Sequence, residues 1–345
     1  MLPSVLFLLR QRNQQTWGQV SPYTHSSGLL NSATFCNRML QANGFTSNLV
    51  EVVDANGIDK QVMLYKPDIV ILEAIWCPPA KLVELTGLKR HKGRLWIVRN
   101  HSELPFLALE GISVQWLLEY AGIPSVTVSC NSPVATHEVG ELLRIRYGRT
   151  KDVIYLPNYY FIQQPLPAPK TPDPKWVDVG CFGAIRPLKN HLMQAVAALI
   201  YAEGLGKTLR FHVNTTRIEM NADPVLKSLR AVFAVGKHQL VEHGWLTWEQ
   251  FIALCQQMDL GLQVSFSETF NIVCADLVSQ NVPVVTSDEV SWVPSAYHAD
   301  PTTVIDIVEK MQLASIDGAA SQAAALQTYS AASQETWLAT LQGLS

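Results

Sequence analysis

Glu268 and Asp276 stand eight residues apart in Ser267-Glu268-Thr269-Phe270-Asn271-Ile272-Val273-Cys274-Ala275-Asp276, where a polar loop runs into a short helical pattern. The run continues through Leu277-Val278-Ser279-Gln280-Asn281 to a β-branched strand pattern ending at Thr286. Two carboxylates around one helix N-terminus frame a place where unpaired N–H groups and the helix dipole favour a phosphate. Arg186 and Lys189 carry the opposite charge, three residues apart in Gly180-Cys181-Phe182-Gly183-Ala184-Ile185-Arg186-Pro187-Leu188-Lys189-Asn190. They open another helical pattern, and cations at that end oppose the dipole unless an anion compensates them. The guanidinium offers a planar fork and the ammonium a compact charge, a pair that suits a diphosphate. Breaking a bond to a diphosphate leaves negative charge on the departing phosphate, which a site without a metal must meet with cations and oriented N–H donors. A solvated helix end with two basic residues is the other explanation of the same spacing.

These groups need a scaffold. In the first half, short apolar or β-branched runs at Val5 to Leu9, Asn48 to Val53, Ile69 to Leu72, Leu95 to Val98, Ser125 to Ser129 and Val153 to Tyr155 predict strands. Helical patterns at Ser32 to Asn43, Ile112 to Ala121 and Pro133 to Arg146 fill gaps between them. Repeated strand-helix-strand units with short connections imply a parallel sheet covered on both faces, the doubly wound class. The Pro-rich stretch 163–176 reads as a linker. Alternation then restarts, with strands near Val177 to Phe182, Arg210 to Asn214, Gln239 to His243, Leu260 to Val264 and Pro283 to Thr286, and helices at His191 to Glu203 and Trp248 to Gln257. The expected organisation is a first domain over 1–162, the linker, a second over 177–320 and an Ala-rich tail over 321–345. That tail reads as two helices or one broken helix.

Composition limits the alternatives. At 345 residues the chain exceeds the roughly 250–300 residues at which single cores stop growing. With 48% hydrophobic and 16% charged residues it has core material in plenty and no long polar run. Six scattered cysteines, Cys36, Cys77, Cys130, Cys181, Cys255 and Cys274, form neither a zinc spacing nor a disulfide framework, which fits a reducing cytoplasm and no metal. Met1 to Leu9 lacks a basic n-region and its apolar run is short, against a signal peptide or membrane span. A net charge of −3 advertises no polyanion partner. Two local basic clusters, Lys89-Arg90-His91-Lys92-Gly93-Arg94 and Arg144, Arg146, Arg149 with Lys151, read as solvated helix ends.

The Glu268 to Asp276 spacing resembles the E-x7-E signature of retaining family 4 glycosyltransferases of the GT-B fold, with Asp276 where the family usually has Glu. Other segments match in order along nearly the whole chain: Gly28 in an early glycine-containing loop, Leu156-Pro157-Asn158-Tyr159-Tyr160, the Gly180 to Asn190 element with Gly183, Gly244-Trp245-Leu246, and Asp259. The resemblance implies two Rossmann-like domains facing each other across a cleft, with the tail returning over the first. Ile71-Leu72-Glu73-Ala74-Ile75-Trp76 and Val98-Arg99-Asn100-His101-Ser102-Glu103 also look like glycosyltransferases of tailed phages.

The resemblance implies roles as well. Arg186 and Lys189 would hold the diphosphate, Glu268 would accept from donor-sugar hydroxyls, and the backbone N–H groups of Thr269, Phe270 and Asn271 would face sugar or phosphate. Asp276 would hold the ribose diol, since a carboxylate offers two acceptors at fixed separation; Gly28, Gly183, Trp245 and Leu246 complete the donor side. His101 follows a predicted strand at the end where open α/β sheets bind ligands, and the family's histidine there touches the donor sugar. Glu103, Glu110 and Trp76 are candidates for the acceptor side. The donor is expected to be UDP-linked, with no cofactor and no metal. If the phage likeness holds, the acceptor is a hydroxymethylated pyrimidine in DNA, flipped out of the helix. The alternatives are a glycan, lipid or small-molecule acceptor, or a module that binds nucleotide or glycan without turnover.

Overall fold

The computed structural model describes residues 2–11, 27–148 and 153–344, which form two compact units, Met1–Tyr160 with Ser330–Ser345 and Phe161–Tyr329. The first unit runs β1 (Val5–Arg10), α1 (Gly28–Ala42), β2 (Ser47–Val52), α2 (Gly57–Tyr65), β3 (Ile69–Glu73), α3 (Pro79–Gly87) and β4 (Leu95–Asn100). It continues with α4 (Leu104–Leu109), α5 (Ser113–Gly122), β5 (Val126–Cys130), α6 (Pro133–Tyr147) and β6 (Ile154–Tyr155). Among the described residues its six strands are all parallel, in the order β2-β1-β3-β4-β5-β6.

The second unit contains β7 (Trp176–Gly180), α7 (His191–Gly204), β8 (Thr208–Asn214), α8 (Asp223–Val232), β9 (Gln239–His243) and α9 (Trp248–Cys255). Then follow β10 (Leu260–Gln263), α10 (Ile272–Ser279), β11 (Val284–Thr286), α11 (Val304–Asp317) and the start of α12 (Ala320–Gly343), whose residues from Ser330 onward belong to the first unit. Its described strands are again parallel, in the order β11-β10-β7-β8-β9. Both units are therefore doubly wound, and each sheet has a switch point where successive crossovers diverge, between β1 and β3 and between β7 and β10.

Burial explains why these runs become inner strands. Val5 to Leu9 and the whole of β3 are buried, as expected of parallel strands covered on both faces. Local chemistry sets the helix ends. Ser132 caps α6 by accepting from Ala135 N at 3.0 Å, and Thr247 and Gln250 form a capping box on α9. At the second switch point Gly180 and Gly261 are register partners on β7 and β10. A Cβ on Gly261 would stand 2.5 Å from Leu277 Cδ1, and one on Gly180 would stand 2.4 Å from Phe182 Cε2. Glycine at both places lets α10 and the chain after β7 lie close to the sheet.

Three differences from expectation have physical causes. α1 starts at Gly28 rather than Ser32 because Ser27 Oγ caps Leu30 N at 3.1 Å. The stretch 163–176 packs within the second unit: Lys170 reaches Asp178 at 2.5 Å and Asp259 at 2.8 Å, and Pro167 O accepts from Asn281 at 2.9 Å. The tail is one continuous helix, α12, whose Trp337 enters the core of the first unit. No helix among the described residues is long and apolar enough to cross a membrane.

Candidate functional site

The crossovers leaving the paired strands β7 and β10 diverge at the second switch point, and the chain beyond their carboxyl ends carries the charged residues of interest. After β7, Gly183 turns at φ 109°, its N–H donated to Asn214 Oδ1 at 3.0 Å. Arg186 then precedes a single 3-10 turn, Pro187–Lys189, and α7 follows directly. After β10, Phe266 N donates to Leu188 O at 2.8 Å, tying the Ser265–Ser267 loop to that turn. The consequence is an ion pair between Lys189 and Glu268, both mostly buried. Arg186 is paired as well, its Nε 2.6 Å from Glu219 Oε2. Arg217 shares that carboxylate at 2.5 Å and lies 4.9 Å over the Trp245 ring. Glu219 stays below its ordinary carboxyl value because the two guanidinium groups outweigh the upward push of burial.

The same end of the sheet gathers buried polar atoms that no protein group satisfies. Among the described residues the Ser265, Ser267, Thr286 and Ser287 hydroxyl oxygens and both ring nitrogens of His191 have no hydrogen-bond partner. Such atoms are rare in folded proteins. Thr286 is the register partner of Gln263, so Ser287 and Ser265 extend beyond neighbouring strands, and His191 follows the Lys189 turn. Burial, aided by Lys189 and Arg186, drives the His191 pKa down to about 3. It is neutral, and can both donate and accept.

The remaining donor-side residues divide. Asn271, at φ 54°, caps α10 through Cys274 N at 3.1 Å and donates to Gln263 Oε1 at 2.9 Å. Phe270 is core, stacked on Tyr329 at 5.2 Å, and its carbonyl accepts from Trp292 at 2.7 Å. Thr269 and Leu246 are partly buried. Asp276 does not stand at the helix N-terminus. It lies on the second turn of α10, buried, where Oδ1 accepts from Trp248 Nε1 at 3.1 Å. Gly28 sits in the first turn of α1 rather than in a loop, and residues 12–26 lie outside the described residues.

In the first unit, the carboxyl ends of β3, β4 and β5 bring together groups that spacing alone did not assign. Glu73 and Arg99 are register partners with wholly buried side chains, 3.1 Å apart. His101 Nε2 lies 2.5 Å from Glu73 Oε2 and its side chain is 10% exposed. Burial raises the Glu73 pKa, yet Arg99 and His101 overcome this and hold it below the ordinary carboxyl value. His101 is lowered, first by burial and then by Arg99. Glu73 and Arg99 were missed as site residues because each ends an apolar strand pattern. The available signal was a charge in that position, which a buried strand tolerates only when paired.

The acceptor-side candidates hold structure. Glu103 is buried and accepts from Ser132, the α6 cap. Glu110 accepts from Ser113 Oγ at 2.6 Å at the start of α5, and Trp76 packs against the core. Part of each basic cluster is paired: Arg90 and His91 share Asp59 at 2.7 and 2.8 Å, and Arg144 pairs with Glu141 at 2.7 Å. Arg149 and Lys151 lie outside the described residues.

No family model and no curated protein matches the chain. Many solved structures do. HepE of Anabaena, in complex with UDP and glucose, is similar over 99% of this chain and 100% of its own, with TM-score 0.64 and 14% identity. A trehalose-6-phosphate synthase, studied with bisubstrate glycomimetics of glycosyl transfer with retention, is similar over 84% of this chain and 77% of its own, with TM-score 0.58 and 12% identity. TarM of S. aureus, with fondaparinux, alpha-GlcNAc-glycerol and UDP, is similar over 78% of this chain, with TM-score 0.54 and 12% identity. The chain spans 51% of the length of TarM. The fold shared with these proteins is GT-B, two Rossmann-like α/β domains with parallel sheets.

Proposed function

We propose that this protein is a retaining glycosyltransferase that moves a sugar from a UDP-linked donor to a hydroxyl of a glycan or small-molecule acceptor. The observation that carries the reading is the convergence of Lys189, Arg186 and Glu268 with unpartnered buried hydroxyls at the β7/β10 switch point. In this reading the diphosphate takes Lys189 and Arg186 from their carboxylate partners, and Glu268, released, accepts from sugar hydroxyls. The anomeric carbon to phosphate bond breaks, the acceptor oxygen bonds the same face, and its proton passes to the departing phosphate. The two cations stabilise the charge that develops there. Asp276, whose Oδ1 accepts from Trp248 Nε1 at 3.1 Å, would hold the ribose hydroxyls. UDP and retention rest on the fold shared with HepE and trehalose-6-phosphate synthase.

The DNA acceptor expected from the phage likeness has no support in this fold comparison, whose named ligands are nucleotide, sugars and a glycoside. Physical grounds agree. DNA affinity comes largely from phosphate neutralisation, and the chain has net charge −3 with Arg90 and Arg144 tied into ion pairs. The test is incubation of the protein with UDP-sugars and a panel of glycans, glycosides and a hydroxymethylcytosine oligonucleotide, read by mass spectrometry and UDP release. Transfer to a panel sugar supports the reading. Transfer confined to the oligonucleotide replaces the acceptor, and tight UDP binding without release replaces the enzyme by a binding module.

A further inference from the structure

Arg186 and Glu219 meet because the chain beyond β7 and the chain beyond β8 pair briefly as strands. Ile185 and Ile218 form an isolated parallel bridge, with Ile185 N donating to Arg217 O and Glu219 N to Ile185 O, each at 3.0 Å. Side chains two residues apart in extended chain point to one side, which brings Arg217 and Glu219 together. The Glu219 carboxylate then takes a guanidinium at each oxygen: Arg217 Nε lies 2.5 Å from Oε1, and Arg186 Nε and Nη2 lie 2.6 and 2.5 Å from Oε2.

The two contacts are not equivalent. Arg186 presents its Nε–Nη2 edge to Glu219, the paired donor edge that also suits a phosphate. Arg217 presents its Nε and rests over the Trp245 ring at 4.9 Å, its side chain 15% exposed. Two cations share one carboxylate, so the group of three carries one positive charge in excess. An anion that takes the Arg186 edge does not strand Glu219 as a partly buried charge, a costly outcome, because Arg217 still holds it.

We infer that Arg217 is a positioning residue that retains Glu219 when the donor diphosphate claims Arg186, so that this carboxylate is the counter-anion of Arg186 before the donor arrives and limits donor affinity without touching the donor. The inference rests on the glycosyltransfer reading for the diphosphate, and on the shared carboxylate for the exchange. Through the whole exchange Arg186 keeps an anion and Glu219 keeps a cation. Donor affinity is then set by the strength of the Arg217–Glu219 pair as well as by the residues that bind phosphate.

The test is a double-mutant cycle on UDP affinity, measured by titration calorimetry on the intact chain. Glu219→Gln removes the competing charge at nearly constant shape, and UDP is expected to bind about 2- to 5-fold more tightly, the scale of a partly exposed ion pair given up. Arg217→Met leaves the carboxylate to Arg186 alone and is expected to weaken UDP binding about 10- to 100-fold, the scale of a lost charged hydrogen bond. In the Glu219→Gln background the same substitution is expected to cost about 2-fold or less, because the group it acts through is gone. Unchanged or weaker UDP binding by Glu219→Gln would mean that the carboxylate aims Arg186 rather than competes for it, and overturns the inference. An equal loss for Arg217→Met in both backgrounds makes Arg217 a direct or long-range donor contact and overturns it too. If Arg217→Met does not fold, the sign of the change in Glu219→Gln still decides. Folded wild-type protein that binds no UDP rejects the glycosyltransfer reading and the inference together, whereas binding with the wrong signs rejects the inference alone.

Discussion

The Lys189 ammonium is paired with the Glu268 carboxylate, so the cation expected to bind diphosphate and the acid expected to bind sugar neutralise each other. On the proposed reading, donor binding exchanges that partner. Removing either group therefore has opposite effects on nucleotide affinity. Lys189→Ala is expected to weaken UDP binding about 10- to 100-fold, the scale of a charged hydrogen bond worth about 1.5–3 kcal/mol. Glu268→Ala leaves Lys189 without its competitor and is expected to hold or tighten UDP binding while abolishing transfer. Titration calorimetry of both variants checks this; equal losses of affinity would contradict the exchange.

Close approach at the second switch point gives a steric prediction. With a Cβ at Gly261 placed 2.5 Å from Leu277 Cδ1 and 3.1 Å from Val284 Cγ1, Gly261→Ala is expected to cost about 1–3 kcal/mol through overpacking. Leu277→Ala in the same chain should recover part of that loss. A double-mutant cycle by urea unfolding measures the coupling, and strict additivity would mean that the sheet moves rather than Leu277.

Trp337 offers a test of the first unit's core. Its indole donates to Pro157 O at 2.7 Å, and its ring lies 5.9 Å from Phe7 and 5.2 Å from the Arg99 guanidinium. Trp337→Ala should destabilise by about 3–5 kcal/mol as a cavity opens. Trp337→Phe keeps an aromatic ring and loses the indole donor, while Pro157 O still accepts from Arg99 Nη2 at 2.8 Å, so about 0.5–1.5 kcal/mol is expected for the lost bond. Thermal unfolding should rank them in that order.

Acid sensitivity follows from His191. Its folded pKa of about 3 lies below the ordinary 6.5, so below about 6.5 the unfolded chain binds a proton that the folded one refuses. Stability is lost as pH falls from 6.5 toward 3, at about 1.4 kcal/mol per pH unit from this group. His101, His243 and His298 are also lowered, each first by burial, so the informative quantity is a difference. His191→Gln should flatten the stability profile relative to wild type between about pH 4 and 6; parallel profiles would place the sensitivity elsewhere.

Alternating apolar runs and helical spacings made the two parallel sheets legible, and the order of charged segments made GT-B legible. Pairings were not. Arg186 and Lys189 read as a free cationic pair, but Glu219 and Glu268 reach them only through the crossover geometry of unlike segments. The spacing placed Asp276 beside the start of α10, but its burial and its bond from Trp248 depend on how α9 and α10 pack, which no local pattern states. Glu73 and Arg99 were visible as residues, yet their meeting depends on β3 and β4 register, which no local pattern states.

The ring of Trp337 against Phe7 also bears on how the chain comes into being. Phe7 leaves the ribosome before any of the second unit, whereas its partner emerges only after all of Phe161–Tyr329 has been made. At about 5–20 residues per second that wait is on the order of 17 to 66 seconds. The second unit has its own residues in hand sooner. Of the two units, the one begun first is finished last, because the cluster around Phe7 is completed only by Trp337 and Leu341.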